Sequence, residues 1–520
     1  MRKAFAFPLL ALLFTAIVIS SVRMPTASAA SETAIDTAIL KGLAYLNSSQ
    51  ASNGEWGSSL FPVASTAMAV LAFENGGHYS WNASDPYNNT VQNGLNWLFS
   101  MGTNVTLDNQ TWGNPDTSGT GIGVEWTSDG YPIYESSMAL LAIVASSAPT
   151  NVTQPGPLGV RTYHAIAQDT VDYLAWAQVD LGSGQGGWTY GPEDNGTSGA
   201  DNSNSAWPTM ALLAAELWGI NAPAFVKSQL NIWITTCQDL NGNSTTNSNY
   251  GSFGYSAKDS ILGGVSEAAV GIAELTYVGA ISTNASIIAA EGYINRMWNV
   301  NNGVWIVNIG NLYCMYAVMK ACREALPPIQ FIANYDGTPG VQWYNGTGQY
   351  ADSLIGNQSS DGSWTNWESW AEADEYSTDL TTALGTLILE PYVVNIATKY
   401  TLIVTVESAV TSAPIVGASV SAAGPLILSG VTGSGGKIEF DNVQVGSYFV
   451  NASMIGYSPT SQTVLVTSNT SVTLVLPLGT VVGGEIIPTD ALQLVAPYLL
   501  YALFAVAGSG LLLRYRKRKL

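Results

Sequence analysis

Carboxylates and aromatic side chains recur together in the segments that lead into the apolar stretches of this chain. The acids are Glu125, Asp129 and Glu135, then Asp194 and Asp201, then Asp259 and Glu267, and finally Glu372, Asp374, Glu375 and Asp379. Two carboxylates facing each other across an aromatic cleft are what glycosidic bond cleavage requires, and Trp126, Tyr131, Tyr134, Trp207, Trp367 and Trp370 would supply such walls. Glu135, Glu267 and Asp379 stand first as catalytic candidates, since each lies just before or at the start of an apolar run. Trp126, Asp201, Trp207, Trp367, Glu372 and Asp374 stand as ligand-binding candidates. The same acids also read as N-terminal caps that bond free N–H groups and meet the helix dipole. No spacing in the sequence sets their mutual distances.

Other chemistries lack their residues. The two histidines, His78 and His164, have no cysteine near them in sequence and no metal-ligand spacing, so a catalytic zinc set is missing. There is no GxSxG, no HExxH and no phosphate-binding loop. Asp239, Asn241 and Asn243 imitate the first ligands of a calcium loop, but the glycine at position six and the glutamate at position twelve are absent, and an Asn-rich turn is the better reading. No metal and no cofactor is expected. Cys314 and Cys322 share a predicted helix and lie about 12 Å apart along its axis, too far to bridge. Cys237 is left either to pair with one of them or to stand free with both.

The elements that must position these residues form an internal repeat. From Thr33 to about Pro391 one unit, helix–loop–helix, recurs roughly six times. In the first copy Ile35, Ile39, Leu43 and Leu46 lie at helical spacing, Gln50 to Trp56 reads QASNGEW, and an apolar helix follows through Ala67, Met68, Val70, Leu71 and Phe73. The last copy reads QSSDGSW from Gln358 to Trp364. Between them the punctuation reads QTWG at Gln110, QGGW at Gln185, GSFGY at Gly251 and GVW at Gly303. The second helix of each unit is apolar or small nearly all round, which places it between two packed layers. Two concentric rings, amphipathic helices outside and apolar helices inside, bury every such face.

QxxxGxW followed by an apolar helix, about every 60 residues, resembles the α/α-toroid proteins, among them squalene and hopene cyclases, protein prenyltransferase beta subunits and complement-type thioester domains. The resemblance implies an (α/α)6 toroid over residues 31–392, in which Gln50, Trp56, Gln358 and Trp364 tie neighbouring hairpins together. It implies no activity. The cyclase DxDD cluster, the prenyltransferase Asp/Cys/His set and the thioester GCGEQ segment are all missing, which disfavours terpenoid cyclisation in particular.

After Tyr392 the helical period stops. Short β-branched runs at Thr401–Val406, Ile415–Val420, Lys437–Phe440, Ser447–Ala452, Gln462–Val466 and Ser471–Leu476 read as an all-β sandwich over residues 398–477. Val431 to Tyr457, with Gly446, Tyr448, Gly456 and Tyr457, resembles the carboxypeptidase regulatory-like domain, which implies a spacer or adhesion module.

The two ends read as targeting. Arg2 and Lys3, an apolar stretch from Ala4 to about Ser20 and the small residues Ala27 to Ala29 suit a signal peptide over residues 1–30, with an uncleaved anchor as the alternative. Leu492 to Leu513 is uncharged and long enough for one transmembrane helix, residues 478–491 form a linker, and the basic residues of 514–520 belong on the cytoplasmic side. These features predict a single-pass cell-membrane protein with an extracellular ectodomain. Its Asn-x-Ser/Thr sequons, Asn47 and Asn82 among them, make it a prospective glycoprotein. The net charge is -20, and only nine basic residues accompany all 37 acids between Ala30 and Asp490, a field that excludes nucleic acid as a partner. The expected partner is an extracellular ligand, glycan or protein, bound without catalysis. The alternative is an extracellular carbohydrate-active enzyme, a polysaccharide hydrolase or lyase.

Overall fold

The computed structural model describes residues 29–57, 61–192, 199–257, 264–300, 307–367, 376–390, 400–423, 427–443, 446–466 and 469–479. Residues 1–28 of the expected signal peptide, the expected transmembrane segment 492–513 and the basic residues of 514–520 lie outside them. Among the described residues no helix is long and apolar enough to cross a membrane.

Twelve α-helices are described in the first part of the chain: α1 Glu32–Ser49, α2 Pro62–Asn75, α3 Asn88–Met101, α4 Pro132–Ala145, α5 Tyr163–Trp176, α6 Asn202–Ala215, α7 Ala224–Cys237, α8 Val265–Tyr277, α9 Ala285–Met297, α10 Leu312–Glu324, α11 Tyr350–Asn357 and α12 Thr378–Leu389. Their packing sorts them into two layers. Each even-numbered helix packs on the next, α2 on α4, α4 on α6, α6 on α8, α8 on α10 and α10 on α12, and α12 returns to α2. That is a closed inner ring. The odd-numbered helices lie against it: α3 on α2 and α4, α5 on α4 and α6, α7 and α9 on α8, α11 on α12, and α1 on α12 and α2. The burial pattern follows the sequence. α1 buries Ile35, Ala38, Ile39, Gly42, Leu43 and Leu46 along one stripe. In α8 every residue is buried, and in α2 all but Pro62 and Asn75.

The ring is held by one contact repeated in successive copies. The indole Nε1 of Trp56 donates to Leu46 O at 2.7 Å, that of Trp126 to Leu98 O at 2.7 Å, that of Trp188 to Leu174 O at 2.8 Å, and that of Trp364 to Leu354 O at 2.9 Å. The same tryptophans donate their backbone N–H to a hydroxyl one turn into the inner helix, at Thr66, Ser136, Ser205 and Thr382 respectively. Each indole is thus buried with its polar hydrogen bonded, and each joins its outer and inner helices. Copy four keeps the place but not the chemistry, with Phe253 buried at the equivalent position.

The glutamines join neighbouring copies. At the ends of outer helices, Gln50 Nε2 donates to Thr90 O at 2.9 Å, Gln178 to Val226 O at 3.1 Å, Gln238 to Ser286 O at 2.8 Å and Gln358 to Ala38 O at 2.9 Å. Gly54 and Gly362 sit in the turns that follow Gln50 and Gln358, at φ 98° and 96°, where a Cβ would strike Asn93 O and Lys41 O of the next outer helix.

Two sequence expectations are corrected here. In copy two the punctuating tryptophan is Trp126, not the Trp112 of QTWG, because the hairpin β1 Gly102–Thr106 and β2 Ile122–Trp126 is inserted between the outer helix and the motif. In copy three the linking glutamine is Gln178 rather than Gln185, whose side chain bonds Gln229 instead. A second small hairpin, β3 Ile332–Ala333 and β4 Pro339–Val341, precedes α11.

The second part is a β-sandwich of β5 Tyr400–Ser408, β6 Ser419–Ala423, β7 Ile427–Val431, β8 Lys437–Val443, β9 Gly446–Ser453, β10 Thr460–Val466 and β11 Thr470–Leu476. One sheet has the order β10-β9-β6-β7 and the other β11-β5-β8, with β11 parallel to β5. Leu402, Val404 and Val406 of β5 alternate with less buried residues and meet Val420, Tyr448, Val450 and Leu474 in the core. The strand expected at Ile415–Val420 begins later, at Ser419, and β7 has no counterpart among the expected strands.

Candidate functional site

The inner helices run in one sense, so their N-termini gather at one mouth of the ring. Short capping side chains start several of them: Asp201 accepts from Asn204 N at 2.8 Å, Asn311 from Cys314 N at 3.1 Å and Ser377 from Leu380 N at 3.1 Å. Proline opens α2 and α4, and an aromatic residue precedes each proline, Phe61 before Pro62 and Tyr131 before Pro132.

Those aromatics form one continuous chain across the mouth. Phe61 packs between Tyr376 and Tyr131, with ring centroids 6.5 and 5.7 Å away. Tyr131 meets Tyr190 at 5.3 Å, Tyr190 stacks on Tyr134 at 5.9 Å, Tyr134 meets Trp207 at 6.3 Å, and Trp207 reaches Tyr313 at 6.3 Å and stacks on Tyr316 at 5.7 Å. Trp207 belongs to α6 and Tyr316 to α10, which are not neighbours in the ring, so this stack bridges the interior of the ring. Exposure grades along the chain from 1% at Trp207 to 37% at Tyr131 and 42% at Tyr190. Phe61 is held left-handed, φ 48°, an uncommon conformation for a bulky residue.

A polar strand runs beside the rings. Tyr134 OH donates to Ser203 Oγ at 2.6 Å, Ser203 Oγ donates to Asp201 Oδ1 at 2.6 Å, and Tyr255 OH lies 3.3 Å from both Ser203 Oγ and Tyr190 OH. Trp207 Nε1 and Asn204 Oδ1 are buried and have no hydrogen-bond partner among the described residues.

The candidate acids are engaged locally. Glu135 is buried and accepts from Ser128, from its N–H at 2.6 Å and from its hydroxyl. Burial pushes its carboxyl above the usual range, against those bonds. Glu267 accepts from Gly264 N at 3.1 Å and Ser266 Oγ at 2.6 Å, and its carboxyl is likewise pushed up by burial, with the Asp201 charge adding to the effect. Asp379 Oδ2 accepts from Gly57 N at 3.0 Å and so links copy six to copy one, while its Oδ1 is buried without a partner among the described residues. The acids do not all converge: Glu267 and Asp201 act on one another, whereas Glu135 interacts with Ser128 and Asp129 of its own loop.

Of the other residues singled out by sequence, Trp126 is fully buried in the repeated tryptophan contact rather than at the mouth. Trp207 is at the mouth but enclosed, and Trp367 is half-buried against the helical core with its N–H on Gly310 O. Glu372 and Asp374, with Asp194, Asp259, Trp370 and Glu375, lie outside the described residues. Phe61, Tyr190, Tyr255, Tyr313, Tyr316 and Tyr376 escaped sequence reading. The signal that could have found Phe61 and Tyr376 was already there, an aromatic residue just before the cap or proline of an inner helix.

His78 Nδ1 pairs with Asp85 Oδ2 at 2.9 Å, and His164 stacks on Trp218. Asp239 accepts from Asn241 N and Asn247 Nδ2, both at 2.9 Å, as in an Asn-rich turn. Cys237, Cys314 and Cys322 are free, buried thiols, pushed up in pKa by that burial.

The family model of the carboxypeptidase regulatory-like domain matches residues 401–479, the sandwich. Among solved structures the chain is similar to a Hormoconis resinae glucoamylase, with 10% identity and a TM-score of 0.35 over 87% of this chain and 99% of that one. No curated protein matches it.

Proposed function

We propose that the helical ring is an extracellular binding domain, held at the cell membrane by the C-terminal segment, and that its mouth takes a glycan without cleaving it. The observation that carries this reading is the aromatic chain from Tyr376 through Phe61, Tyr131, Tyr190 and Tyr134 to Trp207, exposed at Tyr131 and Tyr190, half-buried at Tyr376, Phe61 and Tyr134, and buried at Trp207. Flat apolar faces flanked by hydroxyls suit a pyranose ring, whose axial hydrogens pack on aromatics while its hydroxyls find Tyr255, Tyr190 and Ser203. Because Trp207 and Tyr316 bridge the interior of the ring, the ligand sits across the mouth rather than in a deep channel.

The non-catalytic reading is supported by the acids: Glu135 and Glu267 are each tied to donors of their own loop or helix, and Asp379 to the first copy. The alternative, a polysaccharide hydrolase or lyase, draws on the free Oδ1 of Asp379 and the raised pKa of Glu267 beside Asp201. Incubating the protein with a panel of polysaccharides, with retention and reducing-end release both recorded, tests the two together. Retention lost in Tyr131→Ala and Tyr190→Ala, with no release, is the expected result. Release abolished by Glu135→Gln or Glu267→Gln would replace binding by catalysis.

A further inference from the structure

Among the described residues the sandwich leaves six large apolar side chains exposed, Val410, Val416, Val431, Ile455, Val475 and Leu478, and these lie at one end. The strand pairing fixes that end. β5 and β11 finish together, with Ser408 opposite Leu476. β9 finishes at Ser453, opposite Ser419 at the start of β6, which in turn faces Val431 at the end of β7. The β9–β10 hairpin closes over the same end, where Tyr457 bridges to Leu478 and Gly479 N donates to Gly456 O at 2.9 Å. Thr432 Oγ1 donates to Ile415 O, and Ile415 N to Val406 O, so the two sheets are joined there as well.

This end is apolar in its exposed side chains and uncharged in its loops. Ile455 at the hairpin tip is 97% exposed, an extreme for a side chain of its kind. The loops that form the end, residues 409–418, 431–436, 454–459 and 477–479, contain no charged residue, and Glu407, opposite Val475, and Lys437 border them. The chain leaves the sandwich at this same end, and only twelve residues separate Gly479 from the uncharged Leu492–Leu513 segment. Fully extended, such a linker reaches at most about 40 Å.

We propose that this apolar end rests on the outer surface of the lipid bilayer, with Ile455 entering the headgroup region. The inference rests on the reading of residues 492–513 as the anchor. A lipid surface fits the observations because the chain leaves toward the anchor from this end, and because the loops of this end carry no acid while the ectodomain as a whole is strongly acidic and is repelled by anionic headgroups. Small apolar loops beside a membrane span behave as interfacial contacts, adding to the tether without crossing.

The test uses the full chain in phosphatidylcholine vesicles carrying a headgroup nitroxide lipid. An environment-sensitive fluorophore is attached through Ile455→Cys or, at the opposite end of the sandwich, through Asp441→Cys; the native thiols are buried and stay unlabelled. Quenching several-fold stronger at position 455 than at 441, and equally strong at Val431→Cys, is the expected result. Vesicles that float with the protein while the 455 label stays unquenched overturn the surface contact and leave the anchor standing. Protein that does not float with the vesicles overturns the anchor reading and the contact with it.

Discussion

The side-chain amide of Gln358 donates to the carbonyl of Ala38 at 2.9 Å, joining the last outer helix to the first across 320 positions of sequence. Close by, Asp379 accepts from Gly57 N at 3.0 Å and joins the last inner helix to the first inner loop. These two bonds cross the seam at which α12 packs on α1 and α2. A closed ring has no terminal repeat with an open apolar face, which is the weakness of linear repeat arrays.

Gln358→Leu keeps the side chain's approximate size and removes both of its hydrogen bonds, to Ala38 O and Gly362 O. Ala38 lies inside α1 and its carbonyl keeps the helical bond, so the cost is that of losing net hydrogen bonds, about 0.5–1.5 kcal/mol each. The urea midpoint of the helical domain, followed by tryptophan fluorescence, should fall accordingly. A midpoint equal to that of the parent would mean that the ring closes by apolar packing alone.

The tryptophan contact makes a second prediction. Ser136→Ala and Thr382→Val strip the hydroxyls that accept the backbone N–H of Trp126 and Trp364 at 2.9 and 3.1 Å, and should each destabilise by about 1–3 kcal/mol. Trp126→Ala and Trp364→Ala should cost more, about 3–5 kcal/mol, by opening a cavity between layers. Chemical denaturation of the four variants separates the terms. Hydroxyl variants as damaging as the tryptophan variants would contradict the assignment.

Glu291 sets a pH dependence. Burial pushes its carboxyl from 4.5 up to about 7, against a single compensating N–H from Ala333. A carboxyl whose folded pKa is raised binds its proton more tightly when folded, so its contribution is fully present below about 4.5 and is lost as pH rises through about 7. The loss is at most on the order of 3 kcal/mol. Glu291→Gln keeps an acceptor for Ala333 and cannot ionise, so its stability relative to the parent should grow between pH 4 and pH 8. Glu74→Gln and Glu274→Gln should change in the same direction, since burial alone holds those carboxyls well above their usual range and neither oxygen has a partner among the described residues. Denaturation midpoints whose difference from the parent stays constant across that range would contradict the sign.

Much of this architecture was legible because periodicity carries it. The stripe Ile35, Ile39, Leu43 and Leu46 and the all-round apolar inner helices already required two packed layers, and two complete motifs at Gln50 and Gln358 marked the first and last copies. The intermediate copies were harder because insertion moves the parts of the motif apart: a hairpin separates α3 from Trp126, and Gln178 stands further from Trp188 than Gln50 does from Trp56. The Ser and Thr hydroxyls that accept from the tryptophans were invisible, since a hydroxyl inside an apolar helix has no sequence signature of its partner. The mouth was half legible. Acids at inner-helix starts were expected either to cap or to catalyse; Glu267 bonds the Gly264 N–H at the start of α8, whereas Glu135 bonds Ser128 of the loop before α4. The aromatic chain joins residues from copies one, two, three, five and six, a proximity that only ring closure creates.

The central claim is that the aromatic mouth holds a glycan without cutting it. Retention of polysaccharides by the parent protein and by Tyr131→Ala, Tyr190→Ala and Glu267→Gln, with reducing ends counted in the same samples, tests it most directly. Retention by the parent and by Glu267→Gln, a loss of about tenfold or more when a stacking tyrosine is removed, and no reducing ends in any sample are expected. Reducing ends released by the parent and absent with Glu267→Gln would contradict it.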